Sequence, residues 1–153
     1  MKWSAPVLAA LFVAALVPVT AWSDDDAKHP VAEYRHVLME SLGYHMRASS
    51  MIMKGQVDRR TDLLMHAQAL HDASKVVTDL FPAETSPDKT KTDSKPEIWT
   101  DWKRFVELNK AFEKESARLV EVAKKGDLEA YKAQFAKVGG TCGDCHDAFR
   151  VDD

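Results

Sequence analysis

Apolar residues recur at three- and four-residue steps in four stretches of this chain, the pattern of helices that bury one face. The first stretch runs from about Pro30 to Lys54, with Val31, Tyr34, Leu38, Leu42 and His45 on one stripe, and Gly55 stops it. The second spans about Asp58 to Phe81 on Leu63, Leu64, Ala67, Leu70, Ser74, Val77 and Phe81, and Pro82 ends it. A third opens on Ser94-Lys95-Pro96-Glu97, a capping-box pattern, and carries Ile98, Trp102, Phe105, Leu108, Phe112, Leu119 and Val122 to Gly126. The fourth starts at Asp127, shows Leu128, Tyr131, Phe135 and Val138, and passes through Gly139-Gly140 to Phe149. Residues 82–96 hold almost nothing that can be buried and read as a solvated loop. Nothing reads as a strand, and the other connections are short. The expected fold is therefore all-α, an antiparallel four-helix bundle, an architecture whose interior commonly hosts cofactors.

Ahead of the first helix the pattern changes. Lys2 precedes an apolar run from Ala5 to Val19, followed by Ala21-Trp22-Ser23 and then Asp24-Asp25-Asp26. This predicts a signal peptide over residues 1–23 and a single domain over 24–153. Pro6 and Pro18 interrupt the run, which falls short of the about 20 apolar residues a membrane-spanning helix needs. An uncleaved anchor is the alternative. Cleavage after Ser23 removes one lysine and leaves 20 basic against 24 acidic residues, a formal charge of −4. Such a surface gives no electrostatic case for nucleic acid or anionic lipid.

The chemistry lies near the C-terminus. Cys142-Gly143-Asp144-Cys145-His146 contains the only two cysteines of the chain. On a helix, residues three and four apart share a face, so both thiols and the imidazole project toward one ligand. Two thioethers to the vinyl groups of one porphyrin, with His146 on its iron, use all three groups, so one covalently attached haem c is expected. A dithiol redox pair or half of a zinc site competes on the cysteines alone. Neither needs the histidine that follows.

A second axial ligand has to come from the right depth of the bundle. The fourth helix runs antiparallel to the first, so the haem should lie level with about Tyr34 to Leu42. Met39 falls in that window, whereas Met46 and Met53 lie about 10 and 21 Å further along the same face. On the second helix His71 stands near the same depth and is the main rival. His45 fits less well, and His29, His36 and His66 read as surface or unrelated positions.

Together with the C-terminal motif and the Phe149-Arg150 that follow it, Tyr34-Arg35-His36-Val37-Leu38-Met39 and Lys95-Pro96-Glu97-Ile98-Trp99 resemble class II cytochromes c, the cytochrome c-prime family. The resemblance covers essentially the whole chain after the leader. It implies a bacterial protein loaded with haem outside the cytoplasmic membrane, in the periplasm, as a monomer or homodimer. Most members leave iron five-coordinate, whereas a subset resembling this chain has methionine four residues after the first-helix arginine. Met39 stands in that relation to Arg35. The resemblance thus implies His146 and Met39 as axial ligands, Arg35 near a haem propionate, and a low-spin, non-enzymatic electron carrier serving redox proteins. Trp99, Trp102, Phe105 and Phe149 are expected to wall the porphyrin. The alternative is a high-spin binder of nitric oxide or carbon monoxide, in which Met39 yields or never binds.

Overall fold

The computed structural model describes residues 29–151, and the expected signal peptide over 1–23 lies outside them. Five helices follow in order: α1 Pro30–Met53, α2 Leu63–Ser74, α3 Glu97–Thr100, α4 Trp102–Lys125 and α5 Leu128–Phe149. No strand is present among the described residues. Pro30 starts α1 where its missing N–H costs nothing, and the His29 ring accepts from the Val31 amide. Gly126, with φ of 72°, ends α4, and Asp127 caps α5 by accepting from the Glu129 and Ala130 amides.

The second and third helices depart from expectation. The stretch 58–81 gives only the 12-residue α2, flanked by tight turns at Arg60–Asp62 and Val77–Leu80. Asn109 Nδ2 donates to the Ser74 carbonyl at 3.0 Å, taking the acceptor that the next helical turn would need. Arg59 and Thr61 hydrogen-bond the Asp62 carboxylate, which holds the preceding turn apart from the helix proper. Nor does Ser94 cap a helix. Its backbone pairs with Arg150 in an isolated antiparallel bridge, flanked by Lys95 N–H to Phe149 O and Val151 N–H to Asp93 O, both 2.8 Å. The single turn α3 then breaks at Asp101, whose side chain accepts from the Arg104 amide and caps α4.

Residues 82–96 are anchored rather than freely solvated. Arg35, only 3% exposed, donates from Nη1 to Leu80 O and Thr85 Oγ1 and from Nη2 to Thr92 Oγ1, at 2.7 to 2.8 Å. Its guanidinium also lies 4.4 Å from the Phe81 ring centroid. A buried charge is tolerated because oxygens surround it.

Cross-helix contacts give the directions. Asn109 reaches Ser74 and Ser116 reaches His71, so α2 and α4 are antiparallel. Phe105 meets Phe149 while Glu115 meets Gln134, so α4 and α5 are too. The helices pack in the cyclic order α1, α2, α4, α5, and the α1–α5 seam is the loosest of the four. These four helices form the expected bundle, with α3 an added turn at one end. Its interior divides in two. A large cluster holds Leu42, Leu70, Phe112, Leu119, Tyr131 and Val138, and a smaller one at the α5 C-terminal end holds Val77, Phe81, Ile98, Phe105 and Phe149.

Candidate functional site

Cys142, Cys145 and His146 lie in the last two turns of α5, at the end of the bundle that carries the smaller cluster. Both thiols are free and half-buried. Cys142 packs on the large cluster and Cys145 on the small one, while Met39 of α1 touches both. Burial raises the Cys142 thiol, and burial with Cys142 beside it pushes Cys145 up to about 11. Thiols held protonated are the opposite of a redox-active dithiol, whose pKa is depressed. Among the described residues no group of three or more His, Cys, Asp or Glu side chains could hold a metal ion, so a zinc half-site has no second half.

His146 is exposed, yet desolvation and the neighbouring Arg150 lower its pKa against the opposing pull of Asp147. It is neutral at physiological pH and keeps a lone pair for iron. Two free thiols three residues apart, an adjacent neutral imidazole and an apolar surround fit a covalently held haem c.

Phe105 is the centre of that surround. It meets Phe81 and Phe149 edge-on at 4.7 and 5.6 Å, and Trp102 tilts against it at 5.3 Å. Trp99 is held by its indole N–H, which donates to Phe81 O at 3.0 Å. Of the four expected wall residues, Phe105 and Phe149 are buried, Trp99 is half-buried beside them, and Trp102 is 41% exposed. Phe81 and Val77 were missed as site residues. Their signal was present, since both continue the second apolar stripe up to Pro82.

The depth of Met39 follows from two contacts across the α1–α5 seam. Met46 Cε lies 3.7 Å from where a Cβ on Gly139 would be, and Ser49 Oγ is 3.4 Å from the Tyr131 hydroxyl. Met39 is seven residues before Met46 and ten before Ser49. Equal steps along antiparallel α5 reach His146 and Thr141, so Met39 stands level with the attachment motif. His71 does not. It faces Ser116, whose neighbour Glu115 pairs with Gln134, eight residues or about 12 Å short of Cys142 along α5. His66, expected on the surface, is half-buried against His45. As for Arg35, its terminal nitrogens donate to the 80–92 segment, and that is the role its contacts show.

A family model described as cytochrome C' matches residues 30–150. The chain is 35% identical over 153 residues to a cytochrome c' of Cereibacter sphaeroides, covering 95% of this chain and 97% of that protein. It also superposes on two solved structures of Alcaligenes xylosoxidans cytochrome c prime variants, one a nitric oxide complex and one bound to carbon monoxide. Each gives a TM-score of 0.72 at 28% identity, over 80% of this chain and 94% of theirs. These findings overturn the expectation of an electron carrier working through a low-spin His/Met-ligated haem, and they lend no support to membership of the methionine-ligated subgroup. The relatives are cytochromes c', and the two solved structures hold nitric oxide and carbon monoxide.

Proposed function

Because the chain belongs to the cytochrome c' family, we propose that it binds small diatomic gases, nitric oxide and carbon monoxide, at a haem whose second axial position stays available. Proteins of that family carry a single covalently attached haem c. When bound, that group supplies an iron centre able to take a diatomic ligand. Cys142 and Cys145 would hold it through thioethers, and His146 would bind its iron from one side.

The observation that carries the reading is the apolar setting of this end of the bundle. Val77, Phe81, Ile98, Phe105 and Phe149 form it, with Met39 half-buried at the level of His146. Two donors beside it are engaged elsewhere: both terminal nitrogens of Arg35 on the 80–92 segment and the Trp99 indole on Phe81 O. So apolar a setting disfavours water and anions and suits carbon monoxide and nitric oxide. Met39 is the residue an incoming gas must move, and its unbranched, flexible thioether yields by rotation.

The protein binds without turnover, and a redox protein sets the oxidation state of its iron. We place it in the periplasm on the strength of Lys2, the apolar run that follows and the small residues before Asp24. Exposed Tyr34, Val37 and Tyr44 on α1, with Leu64 and Met65 on α2, support a homodimer.

The test is titration of the reduced holoprotein with each gas, followed by absorption. Saturable uptake of one equivalent is expected. A spectrum that neither gas moves would overturn the reading.

A further inference from the structure

The rings of His45 on α1 and His66 on α2 meet Nδ1 to Nδ1 at 2.9 Å, a hydrogen bond across the α1–α2 seam with both rings half-buried. It borders an uncharged stripe on the outside of α1. Tyr34, Val37, Ser41, Tyr44, Ala48 and Met51 follow one another at alternating three- and four-residue steps, and the two tyrosines, Val37 and Met51 are exposed. His45 stands four residues after Ser41 and three before Ala48, on the α2 side of the stripe. We propose, resting on the homodimer reading, that the pair is a pH switch on association: two copies stay joined while it is neutral and part once it takes up protons.

A second copy is the occupant that the charges select. Glu40 and Arg47 flank the stripe, seven residues apart, on the edge away from His45. Laid antiparallel, two copies set Tyr34 against Met51, Val37 against Ala48 and Ser41 against Tyr44, and bring Glu40 of each beside Arg47 of the other. A parallel copy would face Glu40 with Glu40. The antiparallel dyad falls level with Leu42 and Gly43, so the two copies of the histidine pair stand about 7.5 Å apart along the helix axis.

In the neutral pair one Nδ1–H donates to the other Nδ1. The first proton enters at Nε2 of the donor ring and leaves the bond intact but charged, whereas the second has only the accepting Nδ1 to take and breaks it. Burial and His45 hold the His66 pKa below its usual value, while Asp62, on the turn before α2, pulls it up and is itself paired with Arg59. From α5 comes Tyr131, bonded to Ser49 one turn beyond His45 and kept neutral by burial. On α1 the stripe adds no charge, and Glu40 lies at its far edge, 3.9 Å from His36. A second copy covers the seam and takes more water from it, so the charged pair is disfavoured further in the dimer. The separated chain therefore binds more protons, and association weakens as pH falls through the histidine range.

The test is sedimentation velocity of the holoprotein between pH 7.5 and pH 5.5. The dimer Kd should rise about tenfold or more toward the acid end, the effect of one pKa unit lost per dimer. The His45→Gln, His66→Gln double variant, whose amides can still meet across the seam, should keep one Kd over the range, and His36→Gln should leave the rise in place. A reciprocal readout needs no variant: followed by nuclear magnetic resonance, the His45 and His66 rings should titrate at higher pH on dilution. Helicity and the haem band show whether each variant is folded, and the dilution shift decides if the double variant is not. Chains that are monomeric throughout would overturn the homodimer reading and the switch with it. A dimer whose Kd ignores pH, or a rise that survives in the double variant or vanishes in His36→Gln, would overturn the switch alone.

Discussion

Met39 touches both apolar clusters at once, so its thioether fills the volume between them at the level of the attachment motif. Truncating it should open the gas-binding face. In Met39→Ala, carbon monoxide association measured by flash photolysis should rise about tenfold or more, the consequence of removing some 1.4 kcal/mol of displacement cost from the barrier. Because Met39 is only half-buried, the loss of stability should fall at the low end of the about 2 to 5 kcal/mol seen for large-to-small core changes. Met39→Leu nearly conserves volume and should cost less than about 1.5 kcal/mol, with an intermediate rate. Unchanged association in the alanine variant would remove Met39 from the gas path. The two thiols make a separate prediction. Cys145→Ala retains one thioether and should keep haem through acid-acetone extraction, while the Cys142→Ala, Cys145→Ala double variant should release it. The motif and the depth of Met39 were both legible, since cysteine spacing and helical rise fix them. Whether Met39 holds iron or yields to a gas was not, because the same residue at the same depth serves either chemistry.

At the level of elements, Arg35 shows why residues 82–96 misled. A charged side chain in the first helix and a run of threonines, lysines and prolines both read as surface. The structure closes one over the other, with Thr85 fully buried and Thr92 accepting from Nη2. Arg35→Met should cost about 3 kcal/mol, because several buried oxygens lose a charged donor at once. Faster amide exchange over residues 85–93 is the specific readout, and unchanged protection there would show that the loop holds itself. The end of α2 was hidden for a similar reason. Its apolar stripe continues to Phe81, and only the Asn109 side chain, 35 residues on, takes the Ser74 carbonyl. The α1–α2 seam carries a pH dependence of definite sign. Burial and His45 lower the His66 pKa from 6.5, Asp62 opposes them, and Arg59 offsets part of the Asp62 charge. The unfolded chain therefore binds more protons in the window below 6.5, and stability falls as pH drops through it. Urea midpoints near pH 7.5 and pH 5 should separate less in His66→Gln than in the unaltered protein. An equal separation would mean that His66 titrates as it does unfolded.

On the scale of the whole molecule, the division of the core predicts how the protein behaves without haem. The large cluster is bound up by the α2–α4 and α4–α5 seams. Leu70, Leu119, Val138 and Ala67 are completely buried there, each of the larger side chains contributing on the order of 1.5 to 3 kcal/mol. On its α1 side the smaller cluster is met by Met39 and by the Arg35 guanidinium over the Phe81 ring, and it is less closed where α1 faces α5. The α1–α5 seam is the loosest in the bundle, and Met39 is the α1 side chain that stands in it at the level of Cys142 to His146. A haem thioether-bonded to α5 would add apolar contact at this corner, so its removal should be felt locally rather than everywhere. The Cys142→Ala, Cys145→Ala protein should keep most of its helicity and full amide protection around Leu70, Leu119 and Tyr131. Protection should fall in the first turns of α1, in α3 and over residues 141–149. The bridge from Asp93 and Lys95 to the α5 C-terminus ties those regions together, so they should open as one unit. A single cooperative loss of all helices, with both clusters exposed at the same denaturant concentration, would show instead that the bundle has one core and that haem attachment holds the whole of it.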